Sequence, residues 1–162
     1  MHNRGADGMA ILVDSCVFVD ACTPQSDTHD DAAKFLEELR RLGWGAVIPA
    51  HAWFEVQCAC QRQFADGNSI DGIVNYPISV INMDMDFINR YAKGDIPYHK
   101  SGDHIFMAVA KTDGHVLVTY DTAMIEASKA CGILVFRPGE LISAPSSSTL
   151  SAIALPLRQR PR

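Results

Sequence analysis

Apolar residues in this chain alternate between short continuous runs and stripes at helical spacing. MAILV (9–13) is a short unbroken run, as expected of a strand covered on both faces. Ala32, Phe35, Leu36, Leu39 and Leu42 then recur at helical intervals between Thr28 and Trp44. Asp27, Asp30 and Asp31 stand at the front of that segment and Arg40 and Arg41 at its back, as the helix dipole favours, with Gly43 and Gly45 closing it. GAVIPA (45–50) predicts a second strand and HAWFEVQCACQRQFADG (51–67) the helix after it. PISVINM (77–83) predicts a third strand, DMDFINRYAKGD (84–95) a short helix closed by Gly94, and IPYHKSG (96–102) a loop. DHIFMAVAKTDG (103–114) is helical, HVLVTY (115–120) a strand, TAMIEASKACG (122–132) a helix and ILVFRP (133–138) the last strand. Such βα alternation predicts an α/β fold: a doubly wound, three-layer α/β/α arrangement around a central parallel sheet of about five strands, with right-handed connections. Residues 9–142 form one domain on this reading. Residues 143–162, rich in Ser and Pro and basic, form a mobile tail.

Composition narrows the class. At 162 residues, 48% apolar and 20% charged, the chain has the make-up of one ordinary globular domain. It holds no run of about 18 apolar residues that would cross a membrane. The opening MHNRGADGMA lacks the apolar stretch of a secretory signal, so a cytoplasmic location is expected. Cys16, Cys22, Cys58, Cys60 and Cys131 are odd in number, and the CxC at 58–60 has no second pair, so free thiols are expected rather than disulfides or a zinc knuckle. A net charge of −5 argues against nucleic acid as a partner. That objection weakens if several acids surround divalent cations, and from Ser143 onward there are three arginines and no acid.

Ligands of an open parallel sheet bind beyond the carboxyl ends of its strands, so the acids that follow strands matter most. Asp14 follows the first strand and Asp121 follows HVLVTY. Asp103 opens the helix before that strand, and Glu55 lies about one turn into the helix after GAVIPA. Singly, Asp14 and Asp121 read as helix caps worth about 1 kcal/mol, and Asp103 as a first-turn acid facing the dipole. Glu55 is harder to explain locally: its helical neighbours His51, Ala52, Cys58 and Ala59 include no Lys or Arg. Gathered acids raise one another's pKa unless a hard cation takes them as oxygen ligands. A bound Mg²⁺ or Mn²⁺ would activate water for phosphoryl displacement. Ser15 and Thr119, beside two of these acids, could orient a carboxylate or a metal-bound water, or simply bond the local backbone. His99 and Lys100, in the loop entering the site, could contact a substrate phosphate or be ordinary solvated residues.

On ILVDS, PAHAWFEV, SGDHIFMAVA and VLVTYD, whose acids are spaced by 41, 48 and 18 residues, the chain from about Met9 to Leu141 resembles the PIN-domain nucleases. Within them it is similar to the VapC-like toxins of toxin–antitoxin pairs. The resemblance implies a PIN-like (Rossmann-like) fold and a Mg²⁺- or Mn²⁺-dependent endoribonuclease. It also implies an RNA substrate, a homodimer and a cognate antitoxin. Asp14, Glu55 and Asp103 would hold the metal, directly or through water, with Asp121 completing the cluster. Many members carry Asn where this chain has Cys16, a poor Mg²⁺ ligand, and a further acid where it has Ala123, so one metal site is expected. The alternative is a catalytically silent PIN-like module that binds RNA or protein. A phospho-accepting receiver domain or a dehalogenase-like phosphatase would need a second acid near Asp14, where Ser15 and Cys16 stand. No glycine-rich dinucleotide turn follows the first strand. His51 and Glu55 mimic a zinc pair but have no third ligand.

Overall fold

The short apolar runs become the strands of a single sheet. The structure, a computed structural model, describes residues 10–63, 76–92, 96–97 and 100–143, without the side chains of Gln63 and Ser101. Strands β1 (Ala10–Val13), β2 (Gly45–Pro49), β3 (Ile78–Ile81), β4 (Val116–Val118) and β5 (Val135–Phe136) lie in the order β3-β2-β1-β4-β5, and every neighbouring pair is parallel. Ile11, Leu12 and Val13 of the central strand are all fully buried. Because successive side chains point to opposite faces, both faces of the sheet must be covered there.

The cover comes from α1 (Ser15–Ala21), α2 (His29–Leu42), α3 (Ala50–Gln63), α4 (Met85–Tyr91), α5 (Ser101–Asp113), α6 (Thr122–Ala130) and α7 (Pro138–Ser143). The α2 stripe buries Ala32, Phe35, Leu36 and Leu39 as its spacing predicts. The helix stops at Gly43, whose φ of 67° is a conformation that glycine adopts without steric cost. The Trp44 and Gly43 amides then bond back to the Leu39 and Arg40 carbonyls, satisfying the end of the helix. Phe18 of α1 meets Trp53 of α3 edge-on at 6.0 Å, which locks those two helices together beside β1.

Several boundaries differ from the sequence expectation, each for a local reason. The third strand shortens to Ile78–Ile81 at the sheet edge, where Ser79 and Val80 are exposed. The helix expected over 84–95 is Met85–Tyr91, started by Asp84, whose carboxylate accepts the Phe87 N–H at 2.9 Å. Gly94, and the 64–67 end of the helix expected over 51–67, lie outside the described residues. The last strand contracts from 133–138 to Val135–Phe136, because Pro138 opens a helix instead. Proline suits a first helical turn, and the Glu140 carboxylate accepts the Arg137 N–H at 2.8 Å in a capping arrangement. This helix, α7, buries Leu141 and was not anticipated from the pattern. It includes Ser143, the first residue assigned to the tail; the rest of the tail, like Met9, lies outside the described residues.

Strand order fixes where a site can form. From β1 the chain moves outward through β2 and β3, then returns to the other side of β1 for β4 and β5. The reversal lies between β1 and β4, and the crevice expected of such a sheet lies beyond their carboxyl ends.

Candidate active site

Asp14 is the residue on which the crevice is built. Its N–H extends the β1–β4 ladder by donating to the Val118 carbonyl at 3.0 Å. Its backbone then leaves the sheet in extended geometry at the N-cap position of α1, but the carboxylate makes no capping bond. The carboxylate instead reaches across to β4, and only 6% of the residue is exposed. Thr119, fully buried just past β4, donates its hydroxyl to Asp14 Oδ2 at 2.6 Å. The same Thr119 oxygen accepts the Asp121 N–H at 3.0 Å, so its single proton is left for Asp14. Cys16 Sγ donates to that same Oδ2 at 3.0 Å. Burial, and then the adjacent Asp14 charge, push this thiol well above its ordinary pKa, so it keeps its proton.

The other oxygen is treated differently. Ser15 Oγ lies 3.3 Å from Asp14 Oδ1 and 3.2 Å from Glu55 Oε2. One hydroxyl has one proton and cannot satisfy both acceptors at once. Two carboxylates, one at the start of α1 and one within α3, therefore meet over Ser15. Glu55 is exposed on α3. It needs no ion pair because it faces solvent at the mouth of the crevice.

The remaining acids are placed by neighbouring elements. Asp121 is exposed and its Oδ1 accepts the Met124 N–H at 2.8 Å, so it does cap α6 while standing two residues from Thr119. Asp103 is half-buried in the first turn of α5. That turn adjoins α3: a methyl added at Gly102 would lie 3.9 Å from His51 Nε2, and the His51 and Phe106 rings are 6.0 Å apart. His51 is one turn before Glu55, so Asp103 enters next to the helix that carries Glu55. Asp14, Ser15, Thr119 and Glu55 are thus joined by hydrogen bonds, with Asp121 attached through Thr119 and Asp103 on the adjoining helix. Among the described residues, no three His, Cys, Asp or Glu side chains already surround a point where an ion would sit.

A model of the PIN domain matches residues 11–130. The chain belongs to the PIN domain family. Solved structures with the same fold include a chain of VapBC2 from Rickettsia felis, bound to a DNA fragment from its promoter. It is 15% identical with a TM-score of 0.53, and the match covers 80% of this chain and 98% of that one. VapC20 from Mycobacterium tuberculosis, a Sarcin-Ricin loop cleaving toxin, is 15% identical with a TM-score of 0.53 over 79% of this chain and 99% of that one. FitAcB from Neisseria gonorrhoeae is 19% identical with a TM-score of 0.50 over 79% and 97%. No curated protein matches the chain by sequence.

The donors at the mouth of this PIN domain are carboxylate and hydroxyl oxygens, which suit a hard divalent cation such as Mg²⁺ or Mn²⁺ rather than a soft one. Asp14 and Glu55 fit such an ion best, since their facing oxygens already compete for one proton. Lys100 is exposed at the residue before α5, and His99 lies outside the described residues. Reasoning from the sequence set Cys16 aside as a poor ligand and so missed its contact with Asp14. The available signal was its position, two residues after the strand-end acid in the first turn of α1.

Proposed function

We propose that this PIN domain is a divalent-metal-dependent endoribonuclease, using Mg²⁺ or Mn²⁺, and the toxin of a toxin–antitoxin pair. Family membership supports the coarser statement, a hydrolase acting on nucleic acids. The observation that carries the finer one is the meeting of Asp14 and Glu55 over Ser15 at the sheet's reversal point. A cation bound there would supply a Lewis acid, lowering the pKa of a bound water and offsetting phosphate charge. Asp14 would hold it through Oδ1, and Glu55 and Asp103 would complete the oxygen set, with Asp121 beside them. Thr119 keeps Asp14 oriented from inside, and Ser15, between the two carboxylates, would orient one of them or a metal-bound water. Lys100, exposed at the start of α5, stands ready to meet a phosphate of the RNA backbone. In this reading the chain acts as a homodimer in the cytoplasm and is restrained by a cognate antitoxin. Likeness to VapBC2 and VapC20 is what suggests the antitoxin and the RNA. None of the helices among the described residues is long and apolar enough to cross a membrane.

The test is cleavage of a mixed structured RNA set by wild-type protein and by Asp103→Asn, each with Mg²⁺, with Mn²⁺ and with chelator. Cutting that requires metal and vanishes in the variant supports the nuclease. If metal changes neither cutting nor melting temperature, the chain is instead a catalytically silent module that binds RNA or protein.

A further inference from the structure

The two oxygens of Asp14 are held unequally. Oδ2 receives two side-chain donors, the Thr119 hydroxyl at 2.6 Å and the Cys16 thiol at 3.0 Å. Among the described residues the only donor to Oδ1 is Ser15 at 3.3 Å, whose proton must be shared with Glu55. A carboxylate this buried is costly unless its oxygens find partners, so the arrangement gives the inner edge protein donors and leaves the outer edge for a partner from outside. Thr119 alone would leave the group free to pivot about its one short bond. A second donor on the same oxygen, coming from α1 rather than β4, removes that freedom. The thiol is 3.7 Å from Thr119 Oγ1, longer than its distance to Asp14, and Thr119 Oγ1 already accepts the Asp121 N–H. The carboxylate is therefore the better acceptor for the thiol proton.

We propose that Cys16 is a positioning residue: its thiol proton, with that of Thr119, turns Asp14 Oδ1 outward to take a divalent cation. The inference rests on the metal-site reading above and adds to it a residue whose soft sulfur makes it unsuited to be a ligand itself. Donors behind a metal ligand typically alter metal affinity by about 10–100-fold. Cys16→Ala, which has no donor, should bind Mn²⁺ at least about tenfold more weakly than wild type. Cys16→Ser keeps a donor at nearly the same place and should stay within about threefold of wild type, a rescue that simple space-filling does not provide.

Mn²⁺ affinity is read by calorimetry and by the electron spin resonance of free Mn²⁺, with melting temperature in chelator confirming that each variant folds. Weak binding by Cys16→Ala with recovery in Cys16→Ser supports the assignment. Equal affinity in wild type and Cys16→Ala overturns it while leaving the metal site standing. Equal loss in Ala and Ser also overturns it, since the donor would then not be what matters. Wild-type protein that binds no Mn²⁺ overturns the metal reading and this inference together. Should Cys16→Ala fail to fold, Cys16→Val, which also lacks a donor but fills more space, takes its place under the same criteria.

Discussion

Removing the Thr119 hydroxyl while keeping its shape is the sharpest single probe of this site. In Thr119→Val a methyl replaces the hydroxyl in a fully buried position, so no cavity opens. The 2.6 Å bond to Asp14 Oδ2 and the 3.0 Å bond from the Asp121 N–H are lost, along with the longer 3.7 Å contact to Cys16 Sγ. Asp121 is exposed, so water can replace the second, and the cost lies mainly at Asp14. A hydrogen bond to an ionised group contributes about 1.5–3 kcal/mol. For a chain of this size each kcal/mol lowers the melting temperature by about 2–4 °C, giving an expected fall of roughly 3–12 °C.

Urea unfolding in chelator, which removes any stabilisation by bound metal, is the assay. A single variant cannot separate the Asp14 bond from a general packing effect, so the measurement is a double-mutant cycle with Asp14→Ala. If the hydroxyl acts through Asp14, the two changes together should cost less than their sum by about 1.5–3 kcal/mol. Additivity within about 0.5 kcal/mol would refute the reasoning, because residues without a shared interaction behave that way.

Other outcomes follow from single contacts. Gly139→Ala places a methyl 2.5 Å from Asp31 Oδ1, so the Asp31 carboxylate must swing aside and its bonds from the Gly139 N–H and the Tyr120 hydroxyl are disturbed. Thermal melting should show a destabilisation of about 1–3 kcal/mol, as for other overpacked positions. His115 has its pKa held below the ordinary 6.5, chiefly by burial and against the pull of Asp113. Its unfolded form takes up a proton first as pH falls, so the stability it contributes is complete above about 6.5 and declines below that. The loss measured between pH 7.5 and 5.5 should shrink in His115→Gln, and an unchanged loss would remove His115 as the cause. Glu55→Gln removes one of two acids competing for Ser15, so the chelated protein should melt slightly higher while the rise on adding Mn²⁺ disappears.

The central strands were legible because they are short apolar runs that the chain buries on both faces. MAILV could hardly be anything else once the helices around it were recognised by their periodicity. What escaped was the end of the domain. ILVFRP reads as one apolar stretch, yet only Val135 and Phe136 pair with β4. Residues 138–143 turn helical because the Arg137 N–H finds the Glu140 carboxylate and the Gly139 N–H finds Asp31 on α2. The second of those partners lies 108 positions away in sequence, and no local pattern carries such information.

The site divides along the same line, between what a residue's position says and what its partners say. Position pointed to Asp14, Asp121, Asp103 and Glu55, since each follows a strand or lies in the first two turns of a helix. Position also offered a cap as the plain reading for Asp14 and Asp121. Only tertiary contact separates them: Asp121 keeps its cap, whereas Asp14 gives its cap up and turns to β4. The difference arises because β4 delivers a buried hydroxyl beside Asp14, and a charged acceptor there gains more from that donor than from a solvent-facing amide. Glu55 shows the converse. The sequence made it conspicuous for lacking a cation on its own helix, but it is exposed and needs none. Its importance comes from Ser15, forty positions earlier, whose one proton it must share with Asp14. A shortage of donors between two acids is a property of the assembled crevice, and on the proposed metal-dependent reading a cation would make up that shortage.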